Sequence, residues 1–170
     1  MPSMPRPQEI VINTGPLIAL VAALGDLAIL KSLYHKVHVP YEVNMEIMAN
    51  GVQGFAAPQF EQAEWLQKWT QPTSLLPLLQ NTLDSGEAAV IQLALNPGVQ
   101  TVCIDESVGR RIARLSGLSL TGSLGILLRA KQEGYPLSVY EAIHSMKKRG
   151  IWLSEGLVSA ALRFAGESKE

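Results

Sequence analysis

The chain has 170 residues, 47% apolar but only 6% aromatic, and a net charge of −1. Such a length suits one domain with a substantial core of Leu, Ile, Val and Ala, which fits a parallel sheet better than an aromatic-rich sandwich. The balanced charge provides no global field for a polyanion, so any nucleic-acid contact must come from a local basic patch, and the lone Cys103 excludes a disulfide framework.

Cys103 reads as a small core residue in a reducing cytosol, and no apolar stretch approaches the roughly 20 residues of a membrane span. Residues 1–8 lack a hydrophobic signal region and read as a loose N-terminal tail; residues 9–165 read as a single cytoplasmic domain.

In chain order, residues 9–13 read as a short buried strand, followed by a helix over 16–24 with Thr14 as N-cap and Pro16 in its first turn. Asp26 caps a second helix over 27–34. Val37-His38-Val39 is β-prone and closed by Pro40, and a helix over 41–49 ends at the turn dipeptide Asn50-Gly51. Residues 50–60 read as a surface loop, 64–70 as a strand, and the stretch bracketed by Pro72 and Pro77 as irregular. Ala88, Ile91, Ala94 and Leu95 have helical spacing within 84–95, which stops at Asn96-Pro97-Gly98. A buried strand over 99–104, a helix over 106–116 and a strand over 118–120 follow. From Gly122 onward the chain reads as helices over 123–131, 138–148 and 154–164. The β-α repetition implies an α/β fold, with a parallel sheet between helices and right-handed crossovers.

In an open parallel sheet, ligands bind at the carboxyl ends of the strands. Two predicted strands end there in polar residues, Asn13 and Asp105-Glu106. With Glu46 and Glu87 they supply oxygen ligands of the kind that Mg²⁺ or Mn²⁺ takes. Each has a plainer reading. Asp105 suits an N-cap, Asp84 and Glu87 have capping-box spacing, Glu46 fits a solvent-facing helix position, and Asn13 suits a turn. Arg110 and Arg114 share one helix face and suit either a phosphate backbone or a solvated surface. Lys147-Lys148-Arg149 sits at a helix end, where cations favour the dipole anyway. The three histidines form no ligand spacing with a nearby carboxylate, and no serine triad, GxGxxG or Walker pattern is present.

The runs IVINTGPLIAL, VPYEVNMEI, LDSGEAAVIQLAL and TVCIDESVGRRIARLSGLSLTGSLGILLRAKQEG, spread over residues 9–150, resemble a PIN-domain protein of the prokaryotic branch related to VapC-type toxins. The TGSLG turn and the SGEAAVI segment are the most specific parts. The resemblance implies a three-layer α/β/α fold with a central parallel sheet and extra C-terminal helices. It also implies a nuclease that cuts single-stranded RNA with an acidic cluster and Mg²⁺ or Mn²⁺. By position, the family's acidic residues fall on Asn13, Glu46, Glu87 and Asp105. Glu106 stands beside the last, Thr14 matches the small hydroxyl residue after the first acid, and Ser123 matches the polar residue that completes the site.

Asn13 departs from the pattern, because the family has an aspartate there. The amide keeps one metal-binding oxygen but loses a full negative charge, so weaker metal affinity and reduced activity are expected. The alternative is a catalytically silent PIN fold that binds RNA or protein. The resemblance further implies a small antitoxin as partner. It also suggests a homodimer, for which Trp152, Leu153, Leu157 and Phe164 offer an apolar surface.

Overall fold

Ile10, Val11 and Ile12 are wholly buried, as a strand covered on both faces requires, and they form the centre of β1 (Gln8–Ile12). The computed structural model describes residues 8–49, 54–95 and 99–167. Gln8, read as tail, is the first residue of β1 and pairs with the next strand. The Asn50-Gly51 turn and the Asn96-Pro97-Gly98 stop lie outside the described residues.

β1 leads into α1 (Thr14–Leu24), α2 (Ala28–Leu33), β2 (Tyr34–Val39) and α3 (Tyr41–Ala49). There follow α4 (Ala57–Gln62), β3 (Gln67–Lys68), α5 (Pro77–Thr82), α6 (Ser85–Ala94), β4 (Thr101–Cys103), α7 (Ser107–Leu115) and β5 (Ser119–Thr121). The chain closes with α8 (Ser123–Gln132), α9 (Val139–Lys148) and α10 (Glu155–Phe164). The five strands are all parallel, in the order β3-β2-β1-β4-β5. α6 lies on β1 and β4 and packs against α3, α5 and α7, whereas α1 packs against α8 and α9. This is the expected three-layer α/β/α arrangement with extra C-terminal helices.

Several local readings are corrected. The end of the segment read as a surface loop already belongs to α4, whose Phe60 is 1% exposed, and the irregular reading holds from Pro72 to Leu76, with α5 starting unread at Pro77. Both helices carry a proline in the first turn, where its missing N–H costs nothing. The strand read over 64–70 is only two residues long. Lys68 turns away to donate to the Phe60 carbonyl at 2.7 Å and lies over the Phe60 ring. Thr14 does not cap α1: Asn13 is the N-cap and makes no side-chain cap bond. Likewise Leu27, and not Asp26, caps α2, though Asp26 Oδ1 accepts from the Ala28 N–H at 3.0 Å.

At the β2 edge, the Trp69 indole donates to His38 Nδ1 at 3.2 Å, and His38 Nε2 meets Glu9 Oε1 at 2.8 Å. An indole N–H only donates, so Nδ1 is the acceptor and Nε2 carries the proton. A histidine thus does find a carboxylate neighbour, but as a tie between β1, β2 and the segment after β3. At the other end of the chain, Glu167 accepts from the Val139 and Tyr140 N–H groups at 2.8 and 3.1 Å, from the Ser138 hydroxyl at 2.9 Å and from Lys131. One carboxylate therefore pins the C-terminal segment to the start of α9 and the end of α8.

Candidate functional site

The sheet order makes β1 and β4 neighbours, and their last apolar residues release Asn13 and Asp105 at one edge. The Asn13 N–H donates to the Cys103 carbonyl at 3.1 Å, so the strand ladder runs right up to the site. Asn13 is 7% exposed, and its oxygen points towards α6. A Cβ on Gly86 would lie 2.8 Å from Glu46 Oε1 and 3.5 Å from Asn13 Oδ1. Two oxygens from separate elements therefore converge over the first turn of α6, where a side chain in place of Gly86 would press on Glu46. Glu46 is held there by Thr14, whose hydroxyl donates to Glu46 Oε2 at 2.6 Å. The hydroxyl thus orients a carboxylate rather than capping its own helix.

Glu87 is more deeply placed, at 4% exposure. The Asp84 arm of the capping pair is present, since Asp84 Oδ1 accepts from the Glu87 N–H at 2.8 Å. Yet capping does not satisfy the Glu87 carboxyl. Its Oε1 is buried without a hydrogen-bond partner among the described residues, and it lies 3.3 Å from where a Cβ on Gly109 would stand in α7. Burial, the Asp84 charge, a carboxyl–carboxyl contact with Glu106 and the Glu106 charge raise its pKa to about 7, with only the Asp84 backbone opposing. An unsatisfied buried oxygen flanked by like charges is a place for an added cation or proton.

Asp105 is exposed and does not cap the helix that follows it, because Glu106 occupies the N-cap position of α7. Instead Asp105 Oδ1 accepts from the Ser123 N–H at 2.8 Å, joining the β4 end to the start of α8. A Cβ on Gly122 would lie 2.7 Å from Asp105 Oδ1 and 2.9 Å from Arg110 Nη1, so both side chains rest over that glycine. Arg110 Nη1 also donates to the Ile104 carbonyl at 2.8 Å. Arg114, one turn further along α7, is exposed and forms no hydrogen bond or ion pair with this group among the described residues. Ser123, 3% exposed, contributes its backbone to the site.

The structure thus brings Asn13, Thr14 and Glu46 together, sets Glu87 with Glu106 beside α7, and ties Asp105 to Ser123, with Arg110 beside them over Gly122. It leaves Arg114 outside. Sequence reasoning missed the part played by Gly86, Gly109 and Gly122, although Gly86 and Gly122 stand inside the two most specific motifs. Among the described residues no group of three or more His, Cys, Asp or Glu side chains is placed to hold a metal ion by itself. Oxygen-only donors, an open arrangement and the orphaned Glu87 Oε1 fit a hard dication that keeps much of its water, as Mg²⁺ does.

A cleft of about 740 Å³ opens beside Asp105 and Arg110, walled by the β5–α8 turn on one side and by Trp152, Leu153 and Leu157 on the other. Among the described residues, no helix is long and apolar enough to cross a membrane.

The model of a PIN-domain family matches residues 9–167, nearly the whole chain. No match was found among curated proteins or among solved structures. PIN domains are in general nuclease-like and generally use divalent metal ions. With the parallel five-stranded sheet and the acidic edge already described, that match settles the family: the chain belongs to the PIN-domain family.

Proposed function

We propose that the protein is an endoribonuclease dependent on Mg²⁺ or Mn²⁺, of the toxin–antitoxin type, with activity reduced by Asn13. The observation that carries this reading is Glu87: a buried carboxyl with one oxygen unpartnered, at the carboxyl edge of β1 and β4 where Asn13, Glu46 and Asp105 also stand. A structural carboxylate in that position would have its oxygens satisfied.

A bound dication supplies Lewis-acid chemistry, lowering the pKa of a water and offsetting charge on a phosphoryl oxygen. Glu46, Glu87 and Asp105 with the Asn13 amide oxygen are the groups to hold it. Thr14 fixes Glu46 for that purpose through its 2.6 Å bond, and Asp84 fixes the backbone from which Glu87 projects. Arg110, steadied by the Ile104 carbonyl, retains free guanidinium donors to position a phosphate beside Asp105. Asn13 supports the reading of weakened catalysis, because a neutral amide replaces a charge at the innermost strand end.

The test is a calorimetric Mn²⁺ titration of wild type and Asn13→Asp, with cleavage of single-stranded RNA measured on the same samples. The substitution is expected to tighten Mn²⁺ binding and raise cleavage by roughly tenfold or more, as a restored charge beside a dication should. Unchanged binding and cleavage would remove Asn13 from the site. Silence in both proteins would favour a catalytically inert PIN fold. The antitoxin pairing rests on the resemblance of residues 101–134; a short reading frame beside the gene would support it, and its absence would favour a solitary role.

A further inference from the structure

Three features left outside the acidic cluster meet in one place. The first is the 740 Å³ cleft, which shares Asp105 and Arg110 with the acidic site and so continues from it. The second is Trp152, which walls that cleft and is 83% exposed, a large flat ring with almost none of its surface covered. The third is the basic run Lys147-Lys148-Arg149, all exposed, which ends α9 and leads through Gly150 and Ile151 of the cleft wall straight to Trp152. Neither lysine forms an ion pair among the described residues, and Arg149 lies over the Phe55 ring at 4.7 Å. The chain as a whole is almost uncharged, so this is the kind of local patch that a polyanion needs.

We propose that the cleft is a base-binding subsite for single-stranded RNA: one nucleobase stacks on Trp152 while the strand's backbone runs from Arg110 past Lys147 and Lys148. This rests on the nuclease reading for its substrate class, though not on cleavage itself. An aromatic face next to isolated cations is how sequence-tolerant single-strand binding is built, because every base has a π-face and every linkage a negative charge. The cleft adds apolar walls at Leu153 and Leu157 and a polar floor at the Ser123 end, matching the faces and the edges of a base. A second copy of the chain, or an apolar helix of a partner, would use Trp152 and Leu157 but would have no use for Arg110 at the inner end.

The experiment is fluorescence anisotropy with a labelled ten-nucleotide RNA and an abasic strand of the same length, in EDTA. The proteins are wild type, Trp152→Ala and Trp152→Phe. Trp152→Ala is expected to weaken RNA binding by roughly tenfold to a hundredfold, with binding of the abasic strand unchanged and Trp152→Phe recovering most of the loss. Because Trp152 is exposed, the fold survives its removal. Binding is read in EDTA, which withholds the ion that cleavage needs, so failure of cleavage and failure of the subsite are read apart. Equal RNA binding by wild type and Trp152→Ala overturns the subsite and leaves the nuclease reading intact. Absence of RNA binding in wild type overturns it as well. If sedimentation shows wild type dimeric and Trp152→Ala monomeric, with RNA affinity unmoved, the face joins two copies and the proposal falls.

Discussion

Two carboxylates in this molecule live under opposite rules. Glu167 is surrounded by donors: two backbone N–H groups at the start of α9, the Ser138 hydroxyl and the Lys131 ammonium. Burial pushes its pKa up, but those donors prevail and bring it down to about 2. Glu87 has neighbours of its own charge sign and one oxygen with no partner, and burial with those charges raises it to about 7. The fold completes the first and leaves the second unfinished. A carboxylate whose donors all come from its own chain is a structural tie, whereas one left incomplete is ready for something the chain does not supply.

The largest expected effect separates the two directly. Glu87→Gln should lower Mn²⁺ affinity and any RNA cleavage by more than about a hundredfold while leaving the fold intact. Glu167→Gln should leave Mn²⁺ binding alone but cost about 2 kcal/mol, or roughly 4–8 °C in melting temperature at neutral pH. The pH dependence must run in opposite directions. Glu167 sits below its usual 4.5, so its stabilisation is present above that value and is lost as pH falls towards about 2. Glu87 sits above 4.5, so in metal-free protein its stabilisation is full below that value and is lost as pH rises through about 7. Melting curves from pH 2 to pH 8 should therefore lose their acid limb in Glu167→Gln and their slope between 4.5 and 7 in Glu87→Gln. Parallel curves for both variants would erase the distinction.

Much of this was legible in the sequence because apolar runs and their first polar residue are local signals. β1 and β4 announce themselves as IVI and VCI, and the residues that end them, Asn13 and Asp105, stand at the edge that the parallel order requires. The short helices α4 and α5 were hidden because Pro58 and Pro77 look like loop punctuation, yet in a first helical turn proline is pre-shaped. The strand read over 64–70 was overextended because Trp65 and Trp69 imitate a wider β segment, when only Gln67 and Lys68 pair with β2. Within the site, residue identities were visible but their relations were not. That Thr14 donates to Glu46 across 32 positions, or that Asp105 serves the helix after β5, follows from how strands are ordered, which no periodicity encodes.

A sharper probe of the unfinished region is Gly86→Ala. The added methyl would come within 2.8 Å of Glu46 Oε1, so the carboxylate end must shift, and its bond from Thr14 with it. Mn²⁺ affinity is expected to fall by roughly tenfold, the scale of losing support for one metal-facing group, with little change in melting temperature at a first helical turn. Calorimetry with a thermal scan on the same sample reads both. An unchanged affinity would show that Glu46 is not among the groups that hold the ion.

The smallest effect tests how much preparation an incomplete site receives from its own chain. Thr14→Val keeps the shape of the side chain and removes only the hydroxyl that donates to Glu46 Oε2. If Glu46 were a surface carboxylate, it would take a water in exchange and nothing measurable would follow. As a metal-facing group it loses the bond that fixes its orientation, and supporting bonds of that kind are worth about ten- to a hundredfold in metal affinity, with the lower end expected for a half-buried carboxylate. Valine leaves Thr14's buried position without a polar atom to satisfy, so stability should hold or rise slightly while Mn²⁺ binding weakens. A loss of stability with Mn²⁺ affinity unmoved would reverse that assignment, placing the Thr14–Glu46 bond with the Glu167 clamp as a tie between elements and leaving Glu87 and Asp105 to hold the ion.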